Sequence, residues 1–155
     1  MDAIIDAEKA LGLHIERRFA APPSLVFAAW TEPEHLRRWS APHGFEVTRS
    51  EGELRPGRTW RAAMREPDGS EHQLAGEYRE IVPPERLVFT HAWIDADGRR
   101  GPETVVTIHL EAVDGGTLMH FTQTGFATVW ARDGHSGGWG EAFERLEELL
   151  AAERE

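Results

Sequence analysis

The chain has no cysteine in its 155 residues. That absence removes disulfides, thiol nucleophiles, cysteine-bound zinc and iron–sulfur clusters together. Long apolar runs are also missing, and none approaches the roughly 20 residues a helix needs to cross a bilayer. The opening Met1-Asp2-Ala3-Ile4-Ile5-Asp6 lacks a basic segment and a sustained apolar core, so no secretory signal is expected and the cytoplasm is the default compartment. Positive charge is scarce: 17 basic against 27 acidic side chains leave a formal net charge of −10. Such a balance repels polyanions, which argues against nucleic-acid binding or a polybasic membrane anchor. No Gly-x-Ser-x-Gly elbow, internal repeat or low-complexity linker occurs. What remains, 40% hydrophobic and 28% charged residues, is the composition of an ordinary globular domain with one core.

Residues 1–12 read as a short acidic helix or arm with no assigned role, and residues 13–152 as a single domain. From Leu13 the pattern alternates, with Leu13, Ile15, Arg17 and Phe19 on one face of a strand. Ala21-Pro22-Pro23-Ser24 ends it and opens a helix through Trp30. Thr31-Glu32-Pro33-Glu34 has the spacing of a capping box for a second short helix ending at Trp39. A meander follows. Phe45, Val47, Arg49 and Glu51 share a strand face, Trp60, Ala62 and Met64 alternate with Arg61, Ala63 and Arg65, and Leu87 to Ile94 is apolar on both faces. Pro67-Asp68-Gly69-Ser70, Pro83-Pro84-Glu85, Asp97-Gly98 and Asp114-Gly115-Gly116 are the turns. Strands joined by hairpins give an antiparallel sheet. The period then changes: Trp139, Phe143, Leu146 and Leu150 mark one face of a long helix, with Glu141 and Arg145 spaced for an ion pair. The fold class is therefore α+β, a curved antiparallel sheet with a long C-terminal helix across it and two short helices after the first strand.

That order of elements resembles the helix-grip fold of the START/SRPBCC superfamily. Within it the chain resembles the domain named after the activator of the heat-shock protein 90 ATPase. The resemblance rests on the stretch from Ala21 to Leu36, on Trp39 with Pro42, Gly44 and Phe45, and on Arg55-Pro56-Gly57 and Pro67-Asp68-Gly69. It continues through Gly76 to Ile81, Pro84 to Thr90, Gly116-Thr117, Gln123, Gly125-Phe126, and His135 with Gly138-Trp139. It implies an apolar cavity between the concave sheet and the last helix, with no shared catalytic set. Chaperone activation is not carried over, because the activator's separate N-terminal domain has no counterpart here. Ser40, where many relatives have a second aromatic, implies a wider pocket nearby. Arg58, in place of a second glycine, implies a different turn geometry.

The expected cavity wall is drawn from each element in turn. Trp39 comes from the second helix, Phe45 and Val47 from the second strand, Trp60 and Met64 from the third, and Tyr78 from the fourth. Phe89, His91 and Trp93 follow from the fifth strand, Ile108 and Phe121 from the last two, and Trp139 and Phe143 from the long helix. Arg17, Arg49, Glu51 and Gln123, polar residues in phase with apolar faces, form the expected polar lining or mouth. Trp130, in the segment from Ala127 to Gly137, is placed on a lid hinged at Gly134, Gly137 and Gly138. The implied ligand is flat and mostly apolar, with one polar or anionic end, and is carried or sequestered. One rival reading is a cyclase, dehydratase or hydrolase using His91, Tyr78 or Glu51 as acid or base, assisted by Arg49. Another is a protein-interaction module, with a homodimer possible. His120 and His135 have no placeable catalytic partner, and His135 is read as a brace for the long helix. His14-Ile15-Glu16 and His109-Leu110-Glu111 each place a His and a Glu on one outward strand face, but local spacing alone calls for no metal. No cofactor and no catalytic residue are assigned.

Overall fold

The computed structural model describes residues 11–154, and the expected N-terminal arm falls outside them except for Leu11 and Gly12. The strands are β1 (Leu13–Phe19), β2 (Glu46–Gly52), β3 (Thr59–Arg65), β4 (Glu71–Val82), β5 (Arg86–Ile94), β6 (Thr104–Val113) and β7 (Gly116–Thr124). The helices are α1 (Pro23–Thr31), α2 (Pro33–Trp39) and α3 (Val129–Arg154). All strand pairs are antiparallel, in the order β1-β7-β6-β5-β4-β3-β2. Strands β2 to β7 are one uninterrupted meander, so β1 and β2 lie at opposite edges. The two short helices carry the chain between those edges, and α3 crosses the concave face.

Register follows the alternation in the sequence. Ile15 pairs with Phe121 and Phe121 with Ile108, which points all three to the inner face. The β6–β7 hairpin closes through Asp114-Gly115, and Gly115 has the positive φ of 78° that such a tight turn demands. At Arg55-Pro56-Gly57-Arg58, Gly57 takes the left-handed φ of 86°, and the Arg58 amide bonds Arg55 O at 3.1 Å. Arg58 is then the last residue of the turn and needs no special backbone, so a side chain is tolerated there.

The core is uneven across the sheet. Phe143, Leu146, Leu149 and Leu150 of α3 pack with Phe19, Val106, Ile108, Met119 and Phe121 in one dense cluster. A smaller cluster of Ala41, Val47, Met64 and Leu74 lies at the other side.

Four local expectations are corrected. Thr31 ends α1, its hydroxyl donating to Phe27 O at 2.9 Å, while Glu32 occupies the N-cap of α2 without a side-chain cap; the capping box does not form. Glu141 and Arg145 do not pair. Glu141 accepts the His43 amide, and Arg145 donates to the carbonyls of Ala41, Pro42, Phe45 and Arg38 at 2.9–3.2 Å. Those carbonyls, at the end of α2 and in the loop after it, have no helical donors and outcompete an exposed carboxylate. A register shift between Val47 and Arg49 breaks the β2 alternation, so Ser50 is buried while Arg49 and Glu51 are exposed. Finally, α3 begins at Val129, with the Thr128 hydroxyl accepting the Ala131 amide at 3.0 Å. The segment expected to be a loop and lid is the first turns of the helix.

Candidate ligand cavity

Beneath β2 to β5 the inner face is not packed solid. A cavity of about 460 Å³ lies there, closed by the start of α3 and by the α1–α2 region. Its origin is visible along α3. Among the α3 residues facing it, Ala131, Gly134, Gly138 and Ala142 form a small stripe beside Trp130, His135 and Trp139, whereas the next turns carry Phe143 and Leu146. Large side chains fill one half of the sheet's concavity, and the small stripe leaves room in the other half.

The wall is largely aromatic. Of the residues expected to line it, Val47, Trp60, Met64, Tyr78, Phe89, His91, Trp93 and Trp139 do so. Trp39, Ile108, Phe121 and Phe143 do not; they are buried at 0–1% exposure in the dense half, where α3 brings its large side chains. Phe45 packs against the smaller cluster, outside the lining. The contributions not foreseen from sequence are Trp30, Leu36, Ser50, Ala62, Leu74 and the small stripe of α3. Ala62 was placed in phase with Trp60 and Met64, which was the available signal. Ser40 lines the wall, as its small size suggested, with its hydroxyl donating to Leu36 O.

The polar residues are dispersed. Arg17 is on the inner face of β1 but meets Glu147 of α3 at 3.5 Å, beyond the dense half. Arg49 is exposed and pairs with Glu51, whose carboxyl it holds below the usual range; of the two, only Glu51 reaches the rim, where exposed Arg61 also stands. Gln123 is fully buried outside the lining. It accepts from Trp139 Nε1 at 2.7 Å and donates to Thr104 Oγ1 at 2.9 Å, and Thr104 donates to His91 O at 3.0 Å. This chain ties α3 to three strands and fixes the Trp139 ring in the wall.

Apart from exposed Trp130, the tryptophans of the wall have their indole N–H groups already used. Trp60 donates to Thr90 O at 3.1 Å, Trp93 to His135 Nε2 at 3.0 Å, and Trp30 to the Met119 sulfur at 3.4 Å. Trp60 reaches Thr90 by crossing Gly76, where an added Cβ would sit 1.8 Å from Thr90 O. Since His135 Nε2 accepts, its Nδ1 carries the proton and donates to Ala131 O at 2.8 Å, so His135 braces α3 against β5. Apart from Trp130, the wall tryptophans therefore offer ligands ring faces, not ring donors. Three side chains of the lining, Ser50, Tyr78 and His91, are buried polar groups. His91 lies between Trp60, Trp93 and Trp139, with ring centroids 5.8–6.3 Å away. Burial, as the largest cause, holds His91 down to about 3 from an ordinary 6.5. Burial also pushes the Tyr78 phenol up. Both groups are neutral at physiological pH.

Seven antiparallel strands curved around a long C-terminal helix, with two short helices after the first strand, define the helix-grip class. The family described as Activator of Hsp90 ATPase homolog 1-like protein matches residues 20–151, and the chain belongs to that family. A Chromobacterium violaceum protein superposes with a TM-score of 0.83 at 26% identity, over 90% of this chain and 96% of its own. A Rhodobacter sphaeroides protein has a TM-score of 0.78 at 32% identity, covering 92% and 94% respectively. One from Rhizobium leguminosarum reaches 0.76 at 34%, covering 93% and 95%. A search among curated proteins finds no match. No helix among the described residues is long and apolar enough to cross a membrane.

Proposed function

We propose that this protein binds a planar, predominantly apolar, uncharged small molecule carrying one hydroxyl or comparable hydrogen-bonding group. The observation that carries the reading is the hollow of about 460 Å³ with aromatic walls and a buried His91 among them. Its size falls within the roughly 300–1,000 Å³ usual for small-molecule pockets. Aromatic faces favour flat ligands, and a neutral imidazole offers one donor and one acceptor without a charge. The anionic end considered from sequence is not favoured, because Arg17 and Arg49 stand outside the lining and Arg61, at its rim, lies opposite the Glu51 carboxylate. A carrier or sequestering role is favoured over proton-transfer catalysis. An imidazole whose conjugate acid titrates at about 3 is a weak general base at neutral pH.

The test is a titration with 2-naphthol and with naphthalene, followed by tryptophan fluorescence. Tighter binding of 2-naphthol by about tenfold, lost in His91→Phe while naphthalene binding persists, is the expected result. Absence of saturable binding of either compound, with no small molecule retained in native mass spectra of the fresh protein, overturns the proposal.

A further inference from the structure

The convex face of the sheet, opposite the cavity, carries a separate cluster of donor atoms. Strand register sets Glu16 of β1, His120 of β7 and His109 of β6 in one row. His14 lies two residues before Glu16 on the same face. Neighbouring strands thus unite what local spacing kept apart. Glu16 Oε1 is 3.4 Å from His14 Nε2 and 3.3 Å from His120 Nδ1, and the donor atoms of the three residues all lie within 4.8 Å of one another. Ligand atoms around a tetrahedral ion with bonds of about 2.1 Å are separated by roughly 3.4 Å.

The second nitrogen of each imidazole is also engaged. His14 Nδ1 is 3.1 Å from Thr122 Oγ1, and His120 Nε2 is 3.2 Å from Glu111 Oε1. Histidines that ligate metals characteristically donate their other N–H to such a hydroxyl or carboxylate, which fixes the tautomer. With protons on those outer nitrogens, His14 Nε2 and His120 Nδ1 both turn lone pairs toward one carboxylate oxygen. Three acceptors then converge, and a cation resolves the conflict. We infer that His14, Glu16 and His120 form a binding site for a divalent transition-metal ion of the zinc type, with Thr122 and Glu111 as outer partners. His109 lies beyond His120 from Glu16 in the row and is not a ligand. Because His14 and Glu16 are more than half exposed, the fourth position opens to water or to a donor from another molecule.

The experiment titrates chelator-treated, dialysed full-length protein with ZnCl2 by calorimetry and with CoCl2 by visible absorption. One saturable ion per chain is expected, with tetrahedral cobalt bands that zinc abolishes. His14→Ala and His120→Ala should each weaken zinc binding at least 100-fold, and Thr122→Val by about 10-fold. His43→Ala, at a surface His–Glu pair elsewhere, should leave it unchanged. The three ligands are wholly or partly exposed, and thermal unfolding curves verify that each variant folds. Failure of the wild type to take up zinc saturably, as expected if both rings are imidazolium ions paired to Glu16, overturns the inference. So does uptake that survives His120→Ala.

Discussion

The Arg145 guanidinium donates to four carbonyl oxygens, of Arg38, Ala41, Pro42 and Phe45, and so binds the end of α2 and the following loop to α3. Charge-assisted bonds to such carbonyls, of which Pro42 O also accepts the Phe45 amide, are worth about 1.5–3 kcal/mol each at most, and less where water competes. Arg145→Lys keeps the charge but cannot span the set. A loss of about 2–3 kcal/mol is expected for Lys and more for Ala, measured by urea unfolding; a change within about 0.5 kcal/mol would refute the role. The same reasoning applies to His91, where the sign follows from its depressed value. Between pH 6.5 and about 3 the unfolded chain binds a proton that the native protein refuses, so acidification favours unfolding. The contribution is intact above 6.5 and is lost progressively as pH falls through that window. At about pH 5 the wild type should have lost roughly 2 kcal/mol relative to His91→Phe, compared with their difference at neutral pH. Parallel pH dependence of the two proteins in urea unfolding would show that His91 does not titrate this way.

At the scale of elements, α3 is two helices in character. Its C-terminal half buries Phe143, Leu146, Leu149 and Leu150, while its N-terminal half carries Gly134, Gly137, Gly138 and Gly140. Each interior glycine costs about 1 kcal/mol relative to alanine. That composition made the segment read as a lid, whereas tertiary contact makes it helix: the Thr128 cap, the Trp93–His135 bond and the Gln123–Trp139 bond hold it down. A Cβ at Gly137 or Gly140 would meet nothing within 4 Å. Gly137→Ala with Gly140→Ala should therefore raise stability by about 2 kcal/mol, and should slow hydrogen exchange in Val129–Gly140 more than elsewhere. Equal slowing across the chain would mean that this half is no weaker than the rest. The strands were legible because period-two alternation and Asp-Gly turns are local signals. The β2 register was not, because Thr48 reads as an ordinary strand residue and nothing local marks the shift that exposes Arg49 and Glu51. Nor was the fate of Arg145, since its partners lie about a hundred residues away.

At the scale of the whole molecule, one sheet is packed on one side and hollow on the other, and the candidate site is the boundary between them. Alternation places a residue on the inner face of the sheet but does not say whether that stretch is filled, so Ile108 and Phe121 were assigned to the wall alongside Phe89 and Trp93. The deciding information is the size of what faces each strand from α3, a relation between distant segments. A hollow leaves its lining atoms without partners and so forgoes dispersion contacts; filling it from within should add stability while removing the room for a ligand. Ala62, on the inner face of β3 and half-buried, is the position to fill. Burying a phenylalanine ring there is worth about 1.5–3 kcal/mol if the ring enters without strain. Ligand at 100 times its Kd stabilises a protein by about 2.7 kcal/mol. Ala62→Phe should therefore melt higher than the wild type alone, and 2-naphthol should raise the melting temperature of the wild type but not of the variant. A variant that melts lower and still responds to naphthol would place the binding surface elsewhere on the protein.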